Sequence, residues 1–195
     1  SSPTIPLATS ASSIAENAGS SLTLTATSSI VADEDITVSI STSGTGTEGT
    51  DYSTVSDITI TAGSTTGTVS FTPTDDSVYE GNETAIISIG SVSGGDASES
   101  GTQSVTITIT ENESAPTVTL TTSATSIAEN AGSSITLTAT LSGATDSAIT
   151  VALDTSGAAT EGTDYTDGSG NLDDIVISAG ATTGTVSFTP TDDSI

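Results

Sequence analysis

Three blocks of sequence occur twice in this chain, and the second copy lies 113 positions after the first for two of them and 117 positions after it for the third. The copies begin at Ser13 and Ser126, at Thr47 and Thr160, and at Thr66 and Thr183. A displacement this long exceeds the unit of a solenoid and matches a whole small domain. We therefore predict two tandem domains, over residues 1–113 and 114–195.

The charge of the chain has one sign only. It carries 25 acidic residues and no Lys, Arg or His, which gives a formal net charge of −25. Such a charge repels itself in a compact state unless cations bind. Nucleic acids and anionic membrane surfaces need basic residues, so neither is expected as a partner. No apolar run of about 18 residues is present, and membrane insertion is not expected. Calcium or magnesium is the natural partner of oxygen ligands alone.

The same composition argues against an enzyme. Acyl transfer needs a nucleophile paired with a base, and the chain has no His, Cys or Lys. Two carboxylates can hydrolyse glycosides, but such sites need sugar-stacking aromatic side chains, and this chain has three Tyr, two Phe and no Trp. The absence of Cys and Met fits an oxidising location, extracellular or at a cell surface.

Apolar residues alternate with Thr and Ser over much of the first repeat. The alternation has a period of two in Leu22–Thr27, in Ile58–Ile60 and in residues 105–109. This pattern gives a strand one face that is buried in the core and one face that is exposed to solvent. About seven such strands per repeat, separated by Gly, Asp and Ser turns, are typical of a β-sandwich. The predicted fold class is all-β, with antiparallel immunoglobulin-like β-sandwiches in tandem.

The second repeat keeps this order but is expected to be incomplete at its C-terminal side. It carries an insertion at residues 167–171, and Ile195 aligns with Val78 of the first repeat. The counterparts of residues 79–110 are then missing, so the second sandwich is predicted to lack its last two strands. Either the polypeptide continues, or another copy supplies the strands by strand addition.

Carboxylates gather in the segments that connect the strands. In the first repeat they are Glu16, Asp51, Asp75, Asp76, Glu80, Glu83, Glu111 and Glu113. An antiparallel sandwich places these segments at the same end, where the carboxylates would repel strongly unless a metal ion bound. Calcium takes six to eight oxygen ligands with flexible geometry. The sequence therefore predicts a calcium site at this end of the sandwich.

These motifs resemble the Calx-β repeat. The resemblance is carried by residues 14–19, 48–52, 75–83 and 105–111, in the family's order. It implies an immunoglobulin-like sandwich that binds Ca2+ through loops at one end. The implied ligands in the first repeat are the eight acids above. In the second repeat they are Glu129, Asp164, Asp192 and Asp193.

The acids outside the motifs, and the tyrosines and glycines within them, are expected to have structural roles only. Glu34, Asp35, Asp96 and Glu99 are expected to be solvated surface acids. Tyr52 and Tyr165 are expected to fill the core and anchor a loop. Gly49 and Gly162 are expected at turns with positive φ.

Three functional hypotheses follow. The leading one is a calcium-binding repeat of a large secreted or surface-attached microbial protein, an adhesin stalk or filament, stiffened by Ca2+ at loop ends and at the joins between repeats. The second is a calcium-sensing regulatory module. The third is a subunit of an extracellular polymer joined by strand addition to identical chains.

Overall fold

The computed structural model describes residues 2–169 and 172–193 of the chain. Within them the regular structure is β-strand apart from one 3-10 turn at Glu129–Ala131. The all-β prediction is thus confirmed. Two sequence-based expectations fall on residues outside this description: the alignment of Ile195 with Val78, and the end of the insertion at Gly170 and Asn171. No helix within the described residues is long and apolar enough to cross a bilayer.

The strands follow one another along the chain with short connections. They are β1 (Thr4–Ile5), β2 (Leu7–Thr9), β3 (Ser13–Ala15), β4 (Leu22–Thr27), β5 (Ile36–Gly44), β6 (Ile58–Ile60), β7 (Thr66–Phe71), β8 (Val78–Tyr79), β9 (Glu83–Ser93), β10 (Ser98–Glu99), β11 (Ser104–Thr110), β12 (Val118–Thr122), β13 (Ile135–Leu141), β14 (Ala144–Thr145), β15 (Ile149–Val151), β16 (Tyr165–Thr166), β17 (Ile175–Ile177) and β18 (Thr183–Pro190).

The chain divides into two compact units. Unit 1 consists of Ser1–Asp76 and Gly81–Asn112, and unit 2 of Ser77–Glu80 and Glu113–Ile195. This division follows contacts in space, so the short strand β8 is grouped with unit 2, where it pairs in parallel with β14. The domain boundaries inferred from the repeats stay a prediction.

Unit 1 is a two-sheet sandwich. One sheet has the order β2-β4-β7 and the other the order β3-β11-β9-β5-β6. Leu24 of the first sheet and Ile87 and Ile107 of the second are fully buried in one common core. The predicted alternation explains this packing, because the Thr and Ser residues between them turn outward.

A close contact between strands explains one of the repeated glycines. A Cβ atom on Gly67 of β7 would lie 2.3 Å from the backbone oxygen of Thr59, and one on Gly184 of β18 would lie 2.6 Å from that of Val176. Any side chain there would force the strands apart. Both copies of the Thr-Gly-Thr motif therefore need glycine for packing.

Unit 2 repeats one sheet and a part of the other. Its larger sheet has the order β12-β13-β18-β16, and β15 pairs with β17. Its buried apolar cluster is small, with Ala139, Leu141, Ile175 and Ile177. Within the described part of unit 2, no strand lies beside β15 in the place that β9 takes beside β5 in unit 1.

Candidate metal centre

The first group of carboxylates joins the end of β3 to the end of β11. Glu16 follows β3, which pairs in parallel with β11, and Glu111 follows β11 directly. Glu16, Glu111 and Glu113 each offer an oxygen, and these oxygens lie within 4.8 Å of one another. Glu16 is only 6% exposed, so its carboxylate is held in place by packing.

The second group joins a tight turn to the start of β9. Asp51, Glu80 and Glu83 also offer oxygens within 4.8 Å of one another, and Asp51 is 8% exposed. The backbone N–H of Thr47 donates to Asp51 Oδ2 across the turn. Gly49 lies in this turn with a φ of 87°, which is where glycine is favoured, as expected from the sequence.

Backbone hydrogen bonds tie the loop before β9 to acids of the first group. The N–H of Asp76 donates to Glu16 Oε1 at 3.1 Å, and that of Gly81 donates to Glu111 Oε2 at 2.8 Å. The side chain of Asn82 accepts from the N–H of Glu111 at 3.0 Å. The acids are therefore organised by the backbone rather than gathered by chance on a surface.

The donor set fits a hard divalent cation. Each group supplies three carboxylate oxygens, which are the ligands that Ca2+ prefers. No basic side chain exists in the chain to neutralise them. The described residues contain these two groups and no other of at least three such ligands. Asp75 and Asp76 belong to neither group, and both are exposed.

The surroundings of Glu16 disfavour the negative charge of its carboxylate, and a bound cation would offset this effect. Burial raises the pKa of its carboxyl group above the usual value of 4.5. The hydrogen bond from the N–H of Asp76 acts in the opposite direction, while the negative charges of Glu111, Asp76 and Asp75 raise the pKa further. Ionised Glu16 is therefore unfavourable in the metal-free fold.

This shift predicts an inverted pH dependence for the calcium-free protein. An acid whose pKa is higher in the folded state costs stability above that folded pKa, and the cost disappears as the pH falls towards the unfolded value near 4.5. Glu16→Gln keeps an oxygen that can accept from Asp76 but cannot ionise. We expect Glu16→Gln to exceed the wild type in thermal stability at pH 7 and the difference to shrink towards pH 5, measured in metal-stripped buffer. Parallel pH profiles of the two proteins would contradict this assignment.

Unit 2 keeps some of the hydrogen bonds that organise the acids of unit 1. The N–H of Asp193 donates to Glu129 Oε1 at 3.0 Å, as Asp76 does to Glu16, and the N–H of Thr160 donates to Asp164. Glu129 is exposed and Asp164 half-buried, so both are more open than their counterparts in unit 1. Asp192 is exposed. The structure does not bring Glu129, Asp164, Asp192 and Asp193 together as a group of three metal ligands within the described residues.

Two acids that were not predicted as metal ligands, Glu48 and Asp57, have structural roles. Glu48 accepts from the N–H of Val55 at 2.6 Å and from Thr42 Oγ1 at 2.8 Å. Asp57 accepts from the N–H of Ile40 at 2.9 Å, next to the shift of register between β5 and β9, and Asp174 repeats this bond with Leu153. Both acids have acidic counterparts in the second repeat, and this recurrence could have marked them in the sequence. Recurrence does not distinguish a metal ligand from a residue that anchors a loop.

Three of the four acids expected to be solvated also accept hydrogen bonds from loop backbones. Glu34 Oε1 accepts from the N–H of Gly95 at 2.7 Å, and Asp35 Oδ1 accepts from that of Ala62 at 2.8 Å. Glu99 Oε1 accepts from the N–H of Gln103. Each of these three carboxylates ties a loop, while Glu34 and Asp35 are exposed, Glu99 is half-buried, and none of the three belongs to a carboxylate group. Asp96 is exposed and has a φ of 49°.

The two repeated tyrosines differ in how deeply they are buried. Tyr52 is 1% exposed and packs on Phe71 with 4.9 Å between ring centroids, which confirms it as a core residue. Burial raises the pKa of its phenol. Tyr165 packs on Phe188 at 5.4 Å but is only half-buried.

Comparison with known proteins identifies the repeats. The family model described as the Calx-beta domain matches residues 2–113 and again residues 111–195. Domains of this family typically bind Ca2+ and are not catalytic. A comparison with curated protein sequences gives no match.

Solved structures of related architecture are more distant. The crystal structure of CBD12 from CALX1.2 is 22% identical over 94% of this chain and 73% of its own, with a TM-score of 0.46. The apo-form Calx CBD1 domain is 19% identical over 57% of this chain and 99% of its own, with a TM-score of 0.45. A two-domain protein of unknown function from Bacteroides fragilis is 11% identical over 97% and 84%, with a TM-score of 0.39. None of these three TM-scores reaches 0.5, so the family model alone carries the assignment.

Proposed function

Because the chain belongs to the Calx-β domain family, we propose that it is a structural calcium-binding repeat of an extracellular stalk or filament. The observation that carries the proposal is the pair of three-carboxylate groups formed by Glu16, Glu111 and Glu113 and by Asp51, Glu80 and Glu83. Their charge has no internal counterion. Calcium ions bound there would remove repulsion between the loops and hold them in one geometry.

The join between the repeats supports a mechanical role. Glu111 and Glu113 belong to the first group of carboxylates, and Pro116 follows only three positions after Glu113. An ion held by these two glutamates restrains the chain just before the second repeat begins. Pro116 restricts Ala115 to extended geometry and adds to that restraint. A join of this composition differs from a flexible Gly/Ser linker.

The rest of the sequence favours a spacer over a sensor. A regulatory site is tuned individually, whereas both family matches are to the same domain and the blocks from Ser13 and Thr66 recur unchanged from Ser126 and Thr183. The absence of basic residues also suits a soluble spacer that does not associate with anionic surfaces. An adhesin stalk or an extracellular filament of a microbial protein meets both conditions.

Small-angle scattering of the 195-residue chain tests this role. We expect millimolar calcium to narrow the distribution of interatomic distances, because the join loses rotational freedom when Glu111 and Glu113 share an ion. Glu113→Gln should weaken this response. Asp33→Asn, which removes an exposed carboxylate outside both groups, should leave it unchanged.

The same experiment separates the two functional hypotheses. If calcium binds but the distance distribution stays the same, the stalk proposal fails. A sensor would respond at micromolar calcium with a local change inside one domain, visible in amide chemical shifts, and with no effect on overall dimensions.

A further inference from the structure

The turn of residues 47–52, which carries Asp51, is tied by its backbone to the first sheet of unit 1. The N–H of Ser53 donates to the backbone oxygen of Thr72 at 2.9 Å, and that of Thr74 donates to the backbone oxygen of Asp51 at 2.9 Å. Thr72 and Thr74 follow directly after β7, a strand of the sheet β2-β4-β7. The position of Asp51 is therefore coupled to that sheet.

Glu83, which belongs to the same carboxylate group as Asp51, lies in the other sheet. It is the first residue of β9, and β9 pairs with β5. Next to it, the N–H of Thr84 donates to Thr45 Oγ1 at 2.9 Å, just after the end of β5. The separation of Asp51 and Glu83 thus depends on how the turn is held relative to β5.

Glu48 connects the turn to β5 through a hydrogen bond. Its Oε2 accepts from Thr42 Oγ1 at 2.8 Å, and Thr42 lies in β5 opposite Ile87 of β9. Its Oε1 accepts from the N–H of Val55 at 2.6 Å. A hydrogen bond to an ionised acceptor is roughly twice as strong as one between neutral groups. Both oxygens of Glu48 are thus engaged, and Glu48 belongs to neither carboxylate group.

The hydrogen bond from the threonine of β5 recurs in the second repeat. Thr155 Oγ1 donates to Glu161 Oε2 at 2.9 Å, and the turn that follows carries Asp164, the counterpart of Asp51. Glu161 Oε1, in contrast, is buried and has no hydrogen-bond partner in the described part of the chain. The bond to the threonine hydroxyl therefore accompanies the aspartate turn in both repeats, whereas the bond to a backbone N–H does not.

We propose that Glu48, through Thr42, is a positioning residue for the cation site of Asp51, Glu80 and Glu83. The hydroxyl of Thr42 holds the carboxylate of Glu48 against β5, which fixes the turn and with it the distance between Asp51 and Glu83. Without that hydroxyl, the half-buried carboxylate loses a partner and turns towards water, and the turn moves with it. Because Glu48 acts on the same cation site, this role rests on the proposed function.

Thr42→Val tests the role, because it removes the hydroxyl and keeps a branched side chain that suits a strand. The 195-residue chain is titrated with calcium. Amide chemical shifts of Asp51 and Glu83 report the Kd of the second carboxylate group, and those of Glu16 and Glu111 report that of the first. Residues that orient a metal ligand commonly contribute a factor of about 10–100 to metal affinity. We expect Thr42→Val to raise the Kd of the second group about tenfold and to leave that of the first within about twofold.

Two further variants distinguish positioning from general stability. Thr42→Ser retains the hydroxyl and should restore the original Kd of the second group. Thr155→Val removes the same hydrogen bond from the other repeat and should change neither Kd. The role of Glu48 is overturned if Thr42→Val leaves the Kd of the second group unchanged, or if it weakens both groups alike. A chain without any calcium-dependent shifts would overturn the calcium assignment itself, which is a different outcome from calcium binding that ignores Thr42→Val.

Discussion

Millimolar calcium should raise the melting temperature of the domain over residues 2–113 by well over ten degrees. An ion that binds only the folded state stabilises it by roughly 1–3 kcal/mol at millimolar calcium if its Kd is ~10⁻⁴ M or somewhat tighter. The two carboxylate groups of this domain, with three acids each, give two such contributions. For a domain of about 100 residues, each kcal/mol moves the melting temperature by about 4–8 degrees.

Substitutions at the two kinds of acid make this prediction specific. Asp51→Asn should abolish roughly half of the calcium-dependent rise, because it disables one group and leaves Glu16, Glu111 and Glu113 intact. Asn can still accept the hydrogen bond from Thr47, and the comparison of melting with and without calcium removes any basal loss. Asp33→Asn is the matched control, since Asp33 is exposed and lies outside both groups. Glu34 and Glu99 are unsuitable controls because they accept backbone hydrogen bonds.

Other salts discriminate binding from charge screening. Magnesium should stabilise less than calcium, because it demands octahedral geometry and retains its waters. If sodium at high concentration reproduces the effect of calcium, or if Asp33→Asn and Asp51→Asn lose the same amount, the rise reports screening of the net charge rather than a metal site. A melting curve that does not respond to chelator would contradict the calcium assignment altogether.

The fold was readable from the sequence because its signal is strong and local. Strand β4 begins and ends where the alternation of Leu22–Thr27 predicts, and Ile58–Ile60 is β6 as expected. Leu24 and Ala26 are buried while Thr23 is exposed, as a period of two requires. The expected tandem Calx-β organisation is confirmed by the two family matches. The register shift at Ser39 and Ile40 had no such signal, since it depends on pairing with a distant strand.

The location of the site could be predicted from the sequence, but the role of each acid could not. The sequence places Glu16, Asp51 and Glu83 at one end of a sandwich, but it cannot tell which oxygens converge. Glu48 stands three positions before Asp51 in the same motif, yet it ties the backbone of Val55 rather than joining a carboxylate group. That distinction arises from backbone geometry, because a turn with Gly49 at positive φ directs the two side chains to different partners.

The two repeats also behave differently despite identical motifs. Glu16 is buried and Glu129 is exposed, although seven neighbouring residues are the same in both blocks. Burial is therefore set by what packs against the motif and not by the motif itself. In unit 1 that is β11, which pairs with β3. A site residue can therefore recur in an identical motif while its surroundings differ. The same substitution made in both repeats measures the energetic effect of the different surroundings.

Phe71→Ala and Phe188→Ala form such a matched pair. Phe71 is fully buried against Tyr52, so truncation leaves a cavity in the core of unit 1 and should cost about 3–5 kcal/mol of unfolding free energy. Phe188 packs on Tyr165 in the same way but is half-buried, so truncation removes less contact and opens no closed cavity. Its cost should be about 1–2 kcal/mol, since less apolar surface is withdrawn from water.

Urea unfolding followed by resolved amide resonances of each unit measures both costs in the full chain. Equal losses would mean that Phe188 is as enclosed as Phe71, which would contradict its half-buried position in unit 2. A smaller loss in unit 2 would show that the enclosure of the ring, and not the repeated motif, sets its contribution to stability.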